Sequence, residues 1–323
     1  DTIRNVDTVL VNTAEVQTAQ ETPLKTSIQD FQPETLMLKN KNLTVSINTL
    51  GGGVKKVLLN QHQTYENFAV LRGTDSIVPM VLFDSEVSTN QLVFPYKGDM
   101  IQLGNKGFEV VRASNELIEL RHVVDAGKSI SYIYSILPDN YHIRYEIKMN
   151  GFASDVTPEN VMLHWQTDLK QTERLLSEQR RVSTIFFKGV GKGYDYLSEM
   201  SNDDLKPDVD LDWVAFKQSY FSAILIPEKP FSQNGSKLEV VNYEESDERY
   251  DSHIKNYEAN LNLNLTNTGD GSVAMNWFFG PNDYYLLASY GNEMEDIVNL
   301  GWGIFRWVNI YTIQPIFTYL ANT

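Results

Sequence analysis

A mainly β chain, built as a sandwich or doubled sandwich and ending in short α-helices, is predicted by three features of the 323-residue sequence. More than twelve short strand-like stretches occur at turn-like spacing, and the clearest of them alternate apolar and polar residues with a period of two. Helical signals are sparse before residue 280. After Pro281 the pattern changes to apolar clusters bounded by capping residues and glycine.

Residues 1–34 are rich in Thr, Gln, Asn and Asp, with one apolar island at Val9, Leu10 and Val11. They read as a polar lead or linker with one added edge strand. From Thr35 the strand pattern begins: "LTVSINTL" (43–50), "SISYIYSIL" (129–137) and "YHIRYEIKM" (141–149) each put apolar side chains on one face and polar ones on the other. "PDN" between the last two has hairpin length. The stretches "VMLHWQT", "RVSTIFF", "WVAFKQSYFSAILI", "KLEVVNY", "ANLNLNLT" and "SVAMNWFF" continue the series. "TDLKQTERLLSEQRR" (167–181) and "YLSEMSNDDL" (196–205) carry weak helical patterns. At the end, Asn282 or Asp283 can cap a helix over "YYLLASY", which Gly291 would stop. "NEMEDIVNLG" repeats that grammar with acidic residues in its first turn.

Composition excludes several classes of function. A net charge of −15 repels nucleic acid and disfavours anionic lipid, although a local apolar element can still insert. With no cysteine there is no disulfide, thiolate metal site or thiol nucleophile. The first residues lack the basic flank and apolar stretch of a signal peptide, which suits either a cytosolic protein or an excised ectodomain.

Possible chemical motifs resolve into structural ones. "LGGGVKKVLLN" (50–60) lacks the spacing of a phosphate loop and reads as a tight turn into a strand. Asp208, Asp210 and Asp212 alternate as in a calcium loop, but Trp213 and Ser219 stand where Gly and Glu would be needed. Five histidines show no zinc spacing. His164, in "MLHWQTD", is a candidate for proton transfer with an acidic partner, and Asp168, Glu173 and Glu178 are near it in sequence. A strand histidine beside Trp is more often a packing residue. No nucleophile elbow occurs, "YEESDERYD" (243–251) reads as a solvated acidic loop, and Asn42, Asn234 and Asn264 sit in glycosylation sequons. No catalytic residue, cofactor or metal is expected.

From Gly303 to Thr323 the only charged side chain is Arg306, while Trp307, Phe305, Tyr311, Phe317 and Tyr319 supply aromatic bulk. A membrane span wants about 20 predominantly apolar residues. Asn309, Thr312, Gln314, Pro315 and Thr318 interrupt this one. It reads as an element lying between protein and membrane interface, where Trp and Tyr rings are favoured. The alternative is a terminal helix docked on the domain's own core.

Four segments in order carry a family resemblance: "LKNKNLTVSINTLGGGVKKVLL", "YSILPDNYHIRYEI", "LDWVAFKQSYFSAILIP" and "FFGPNDYYLL…VNLGW". Trp213, Val214, Ala215, Gln218, Tyr220, Phe221 and Pro227 carry the third, and Gly280, Pro281, Tyr284, Leu286, Gly301 and Trp302 the fourth. The chain thereby resembles the large periplasmic domains of YidC, the bacterial membrane-protein insertases, over about residues 36–320. Leu211 and Asp212 replace glycines of the family pattern, and the N-terminal lead matches nothing in it.

The resemblance implies a β-supersandwich like that of galactose mutarotases with short C-terminal helices, and a non-enzymatic role. It implies residence at the periplasmic face of the inner membrane, as the ectodomain of a multi-pass protein whose transmembrane helices are absent from this chain. The implied partners are Sec translocon components and nascent membrane proteins. The expected organisation is a lead (1–34), a supersandwich (35–280) and a helical, membrane-proximal segment (281–323). Gly280 and Pro281 would set the turn from sheet to helix, beside Tyr284 and Gly301. Trp302, Phe305 and Trp307 would anchor at the interface. Two further readings place function in the sandwich cleft: a carbohydrate-binding or mutarotase-like protein using His164, or a site for unfolded peptide.

Overall fold

The computed structural model describes residues 31–74, 78–152, 155–157, 160–265, 271–299, 309–313 and 316. The possible lead strand at residues 9–11, and Gly301, Trp302, Phe305 and Trp307, lie outside them.

Alternating sequence becomes alternating burial. β1 (Thr35–Lys39), β2 (Leu43–Asn48), β3 (Val54–Leu59) and β4 (Met80–Asp84) form a four-stranded sheet in that order, with the short helix α1 (Tyr65–Leu71) between β3 and β4. β2 reads buried, intermediate, buried throughout, as "LTVSIN" requires. The turn into β3 runs through Gly51 and Gly52, both at positive φ. A Cβ on Gly51 would lie 2.6 Å from the Gly104 carbonyl oxygen, so glycine is needed there for conformation and for space.

β5 (Ser88–Tyr96), β6 (Asp99–Gln102), β7 (Glu109–Ala113), β8 (Leu117–Asp125), β9 (Lys128–Ile136), β10 (His142–Asn150) and β11 (Met162–Lys170) follow. After helix α2 (Leu176–Arg181) come β12 (Thr184–Gly189), β13 (Tyr194–Tyr196), β14 (Asp203–Leu205), β15 (Leu211–Lys217), β16 (Phe221–Pro227), β17 (Ser232–Val241), β18 (His253–Asn262) and β19 (Gly271–Pro281). Helix α3 (Tyr284–Tyr290) and a 3-10 turn (Met294–Ile297) close the continuous part. The larger sheets have the orders β13-β12-β15-β16-β19-β10-β9-β8-β7 and β14-β17-β18-β11-β5-β6, and all the strand pairs are antiparallel. The fold is a β-supersandwich with a few short helices.

One core receives residues from all three sheets. Trp165 of β11 stacks on Phe216 of β15 at 3.5 Å and meets Trp277 of β19 edge-on at 5.5 Å. Phe83 of β4 meets Trp277 and Phe279 edge-on, which ties the four-stranded sheet to the same face. Such ring geometries add to what burial of the rings contributes.

The two weak helical patterns correct themselves in instructive ways. In 167–181 the strand β11 runs on to Lys170 and only the last turn and a half is helical, because Asp168 is held across the sheet by Asn256, Tyr243 and Arg249. In 196–205 there is no helix; Tyr194 and Tyr196 of the edge strand β13 stack on Phe186, and β14 pairs with β17.

Candidate functional site

β15, β16 and β19 differ from the other strands in being apolar almost without alternation: "WVAF", "AILI" and "NWFF". A strand buried on both faces needs this pattern. Their inner side chains Val214, Phe216, Leu225, Trp277 and Phe279 enter the main core, whereas Trp213, Ala215, Ile224, Ile226 and Phe278 point outward. The segment after β19 covers the outward set. Leu287, Met294 and Ile297 are fully buried against it, together with Phe186 of β12.

Specific bonds hold this cover in register. Asp283 caps α3, its Oδ1 accepting the Leu286 N–H at 2.7 Å, and Gly291 ends the helix at φ +76°. Asn282 clasps the β15–β16 turn: its N–H donates to the Tyr220 carbonyl at 2.7 Å, its Nδ2 donates to the Gln218 carbonyl at 3.0 Å, and its Oδ1 accepts the Ser222 hydroxyl at 2.6 Å. The buried Trp213 donates its indole N–H to the Asn292 carbonyl at 2.9 Å, which satisfies a polar atom that burial would otherwise penalise. Lys188 pairs with Glu293 at 3.0 Å. Tyr290 donates its hydroxyl to Asn140 Oδ1 and accepts the Tyr141 N–H, while its ring lies 4.0 Å from that of His142.

Gly280 and Pro281 act differently from the expectation that they form the turn into the helix. Both belong to β19, paired with Ser222 and Phe221 of β16. Gly280 is not at positive φ. A Cβ there would lie 2.6 Å from Phe278 Cζ and 2.9 Å from Tyr141 Cδ1, so the requirement is space for two packed rings. Pro281 precedes the helix by three positions, and Asp283 supplies the cap. Tyr284 is the first residue of α3, half-buried, its ring edge-on to Tyr285 at 5.5 Å.

A second feature is an open cleft of about 760 Å³ on the outer face of the six-stranded sheet. His164 lies in it, but none of its sequence neighbours is its partner. Its Nδ1 donates to Asn260 Oδ1 at 2.9 Å, Asn260 Nδ2 donates to Glu258 Oε1 at 2.8 Å, and Glu258 itself is 3.8 Å from His164. Asp168 is occupied as described, Glu178 pairs with Arg181, and burial raises the pKa of Glu173. Two lysines (Lys206, Lys237) and three glutamines share the rest of the lining with Val93, Met162, Gly235 and Ser236, and no Phe, Tyr or Trp is among them. Glu258 and Asn260 face His164 because β11 and β18 pair in register, His164 opposite Asn260. The alternation in "YEANLNLNLT" shows an outward polar row there, but not which strand it adjoins.

Among the described residues no group of His, Asp or Glu could hold a metal ion, and no helix is long and apolar enough to cross a membrane. The fold and its covered face define a β-sandwich domain with α3 and the 3-10 turn packed on the outer face of the nine-stranded sheet. Residues 35–318 match the YidC periplasmic domain, and the chain belongs to that family.

The chain is 29% identical over 297 residues to the membrane protein insertase YidC of Phocaeicola vulgatus, covering 88% of this chain and 45% of that protein. It is 25% identical over 324 residues to that of Bacteroides fragilis (98% and 50%) and 26% identical over 330 residues to that of Cytophaga hutchinsonii (96% and 51%). The chain thus spans about half the length of the curated relatives it matches. Among solved structures it is similar to a galactose mutarotase-like protein from Lactobacillus casei, with 8% identity, TM-score 0.42, 77% of this chain and 100% of that one. An α-N-acetylgalactosaminidase from Bifidobacterium bifidum matches with 7% identity, TM-score 0.48, 82% and 39%.

Proposed function

We propose that this chain is the periplasmic domain of a YidC-like insertase at the inner membrane, a non-enzymatic module that assists insertion and folding of membrane proteins together with Sec translocon components. The family match over residues 35–318 carries this reading. The segment 281–323 is its membrane-proximal coupling: α3 and the 3-10 turn are anchored on the sheet, and the aromatic stretch that follows acts at the membrane interface through Trp302, Phe305 and Trp307. Nascent membrane proteins are its substrates, and Gly280, Pro281 and Tyr284 keep the junction in place.

In cells that depend on the full-length protein, the combined substitution Trp302→Ser, Phe305→Ser and Trp307→Ser is expected to impair membrane-protein insertion while leaving the protein at normal abundance. Unimpaired insertion would count against the coupling role. A second reading, sugar binding in the cleft, draws on the His164–Asn260–Glu258 group. Its lining lacks the aromatic platform on which sugar rings commonly stack, so we rank it lower.

A further inference from the structure

The strand registers define which turns share one end of the nine-stranded sheet. β10 begins at His142 opposite Phe278, β9 ends at Ile136 opposite Ile143, and β16 begins at Phe221 opposite Pro281. The β9–β10 turn, the β15–β16 turn and the exit of β19 into α3 therefore lie together. Helix α1 joins them: His62, just before it, sits 5.2 Å from the Phe221 ring and 3.3 Å from the Tyr141 hydroxyl, and the Tyr65 N–H donates to the Thr172 carbonyl.

This end exposes apolar side chains from every one of these elements. Leu137, Tyr220 and Tyr285 come from the two turns and α3, and Tyr65, Phe68 and Val70 from α1; they are between 40% and 79% exposed. α1 has no fully buried residue; its Thr64 cap, the Tyr65–Thr172 bond and the Arg174 guanidinium over the Tyr65 ring help to hold it. A helix normally gains its stability by packing an apolar face. The opposite end of the same strands is of another character: Asp125 and Lys128, flanking the β8–β9 turn, pair with Lys97 and Asp155.

We infer that the Leu137–Tyr220–Tyr285 end, with α1, is a second lipid-contacting surface that seats on the interfacial zone of an uncharged, zwitterionic bilayer. The inference rests on the membrane-proximal reading proposed above. Three observations select this occupant. β19 ends at this same end and passes into α3, which leads in sequence toward residues 303–323, whose only charge is Arg306. Three of the six exposed side chains are tyrosines, whose rings favour the headgroup level. The net charge of −15 opposes an anionic surface and leaves a zwitterionic one. Glu66, Arg72, Asp139 and Asp283 belong to or flank the same elements, Arg174 lies over the Tyr65 ring, and all five would lie among the headgroups. The surface would give the domain a further contact with the bilayer and so fix its tilt.

The test is sedimentation of the 323-residue chain with phosphatidylcholine vesicles. The variant Phe68→Ser, Leu137→Ser, Tyr220→Ser is expected to lower the partition coefficient about tenfold or more, since apolar area buried at an interface sets the strength of binding. Val123→Ser, roughly 20 Å away at the other end of β8, should leave it unchanged. All substitutions are at exposed sites, and unchanged thermal unfolding verifies folding. Binding of the triple variant equal to that of the parent overturns the inference, as does a parent that does not bind. A parent dimer that the triple variant dissociates would also overturn it, assigning the surface to a second copy. If only the Trp302, Phe305 and Trp307 variant loses binding, the surface is refuted while the membrane-proximal reading stands.

Discussion

Leu287→Ala is expected to destabilise the domain by about 3 kcal/mol, measured by denaturant unfolding, against less than about 0.5 kcal/mol for the exposed Leu137→Ala. Leu287 is fully buried over Trp213, Ile224 and Phe278, on the side of the nine-stranded sheet away from the main core. Truncating it leaves a cavity that α3 cannot close, because Asp283, Asn292 and Tyr290 pin the segment at both ends. A cost near that of a surface substitution would mean that α3 is merely laid on the sheet. The same packing means that a chain cut at Gly280 would uncover Trp213 and Ile224, and so would not be a neutral truncation.

Acidification is expected to weaken this junction through His142. Its ring is wedged between Tyr290 and Phe278, its Nε2 is buried without a hydrogen-bond partner, and burial lowers its pKa from the ordinary 6.5 to about 4. Between those values the unfolded chain binds the proton and the folded chain does not. Stability therefore falls as pH drops from 6.5 toward 4, and no further from this group below that. At pH 4.5 the loss is about 2 kcal/mol relative to pH 7. His142→Phe, which keeps the ring packing, should remove that part of the pH dependence. His62 and His122, whose pKa values burial also lowers, contribute with the same sign and persist in the variant. An acid loss of equal size in the parent and in His142→Phe would assign the effect elsewhere.

The period-two stretches gave the strands directly, because a sheet with one wet face imprints its pleat on the sequence. The unbroken apolar runs of β15, β16 and β19 mark strands in the sequence, but that α3 and the 3-10 turn cover their outer face is shown only by the packing. Helix α1 was not legible: "YENFAVL" has no buried face, so no periodicity betrays it, and only the Thr64 cap marks its start. The partners of His164 were out of reach for a different reason. Asn260 lies 96 positions away, and one sequence does not state which strands adjoin. The steric role of Gly280 likewise depends on where the Tyr141 ring falls, which only the β10–β19 register decides.

On the proposed membrane-proximal reading, the Gly280 end of the sandwich faces the bilayer while the Asp125–Lys128 end faces water. The chain's freedom from cysteine makes it directly measurable. Nitroxide labels are introduced at Tyr220→Cys or Val123→Cys in the full-length protein, with any cysteine outside this chain replaced, and reconstituted in phosphatidylcholine vesicles. The label at 220 is expected to be shielded from a water-soluble relaxation agent and reached by oxygen dissolved in lipid, while the label at 123 behaves as in bulk water. Equal aqueous access at both positions would contradict it.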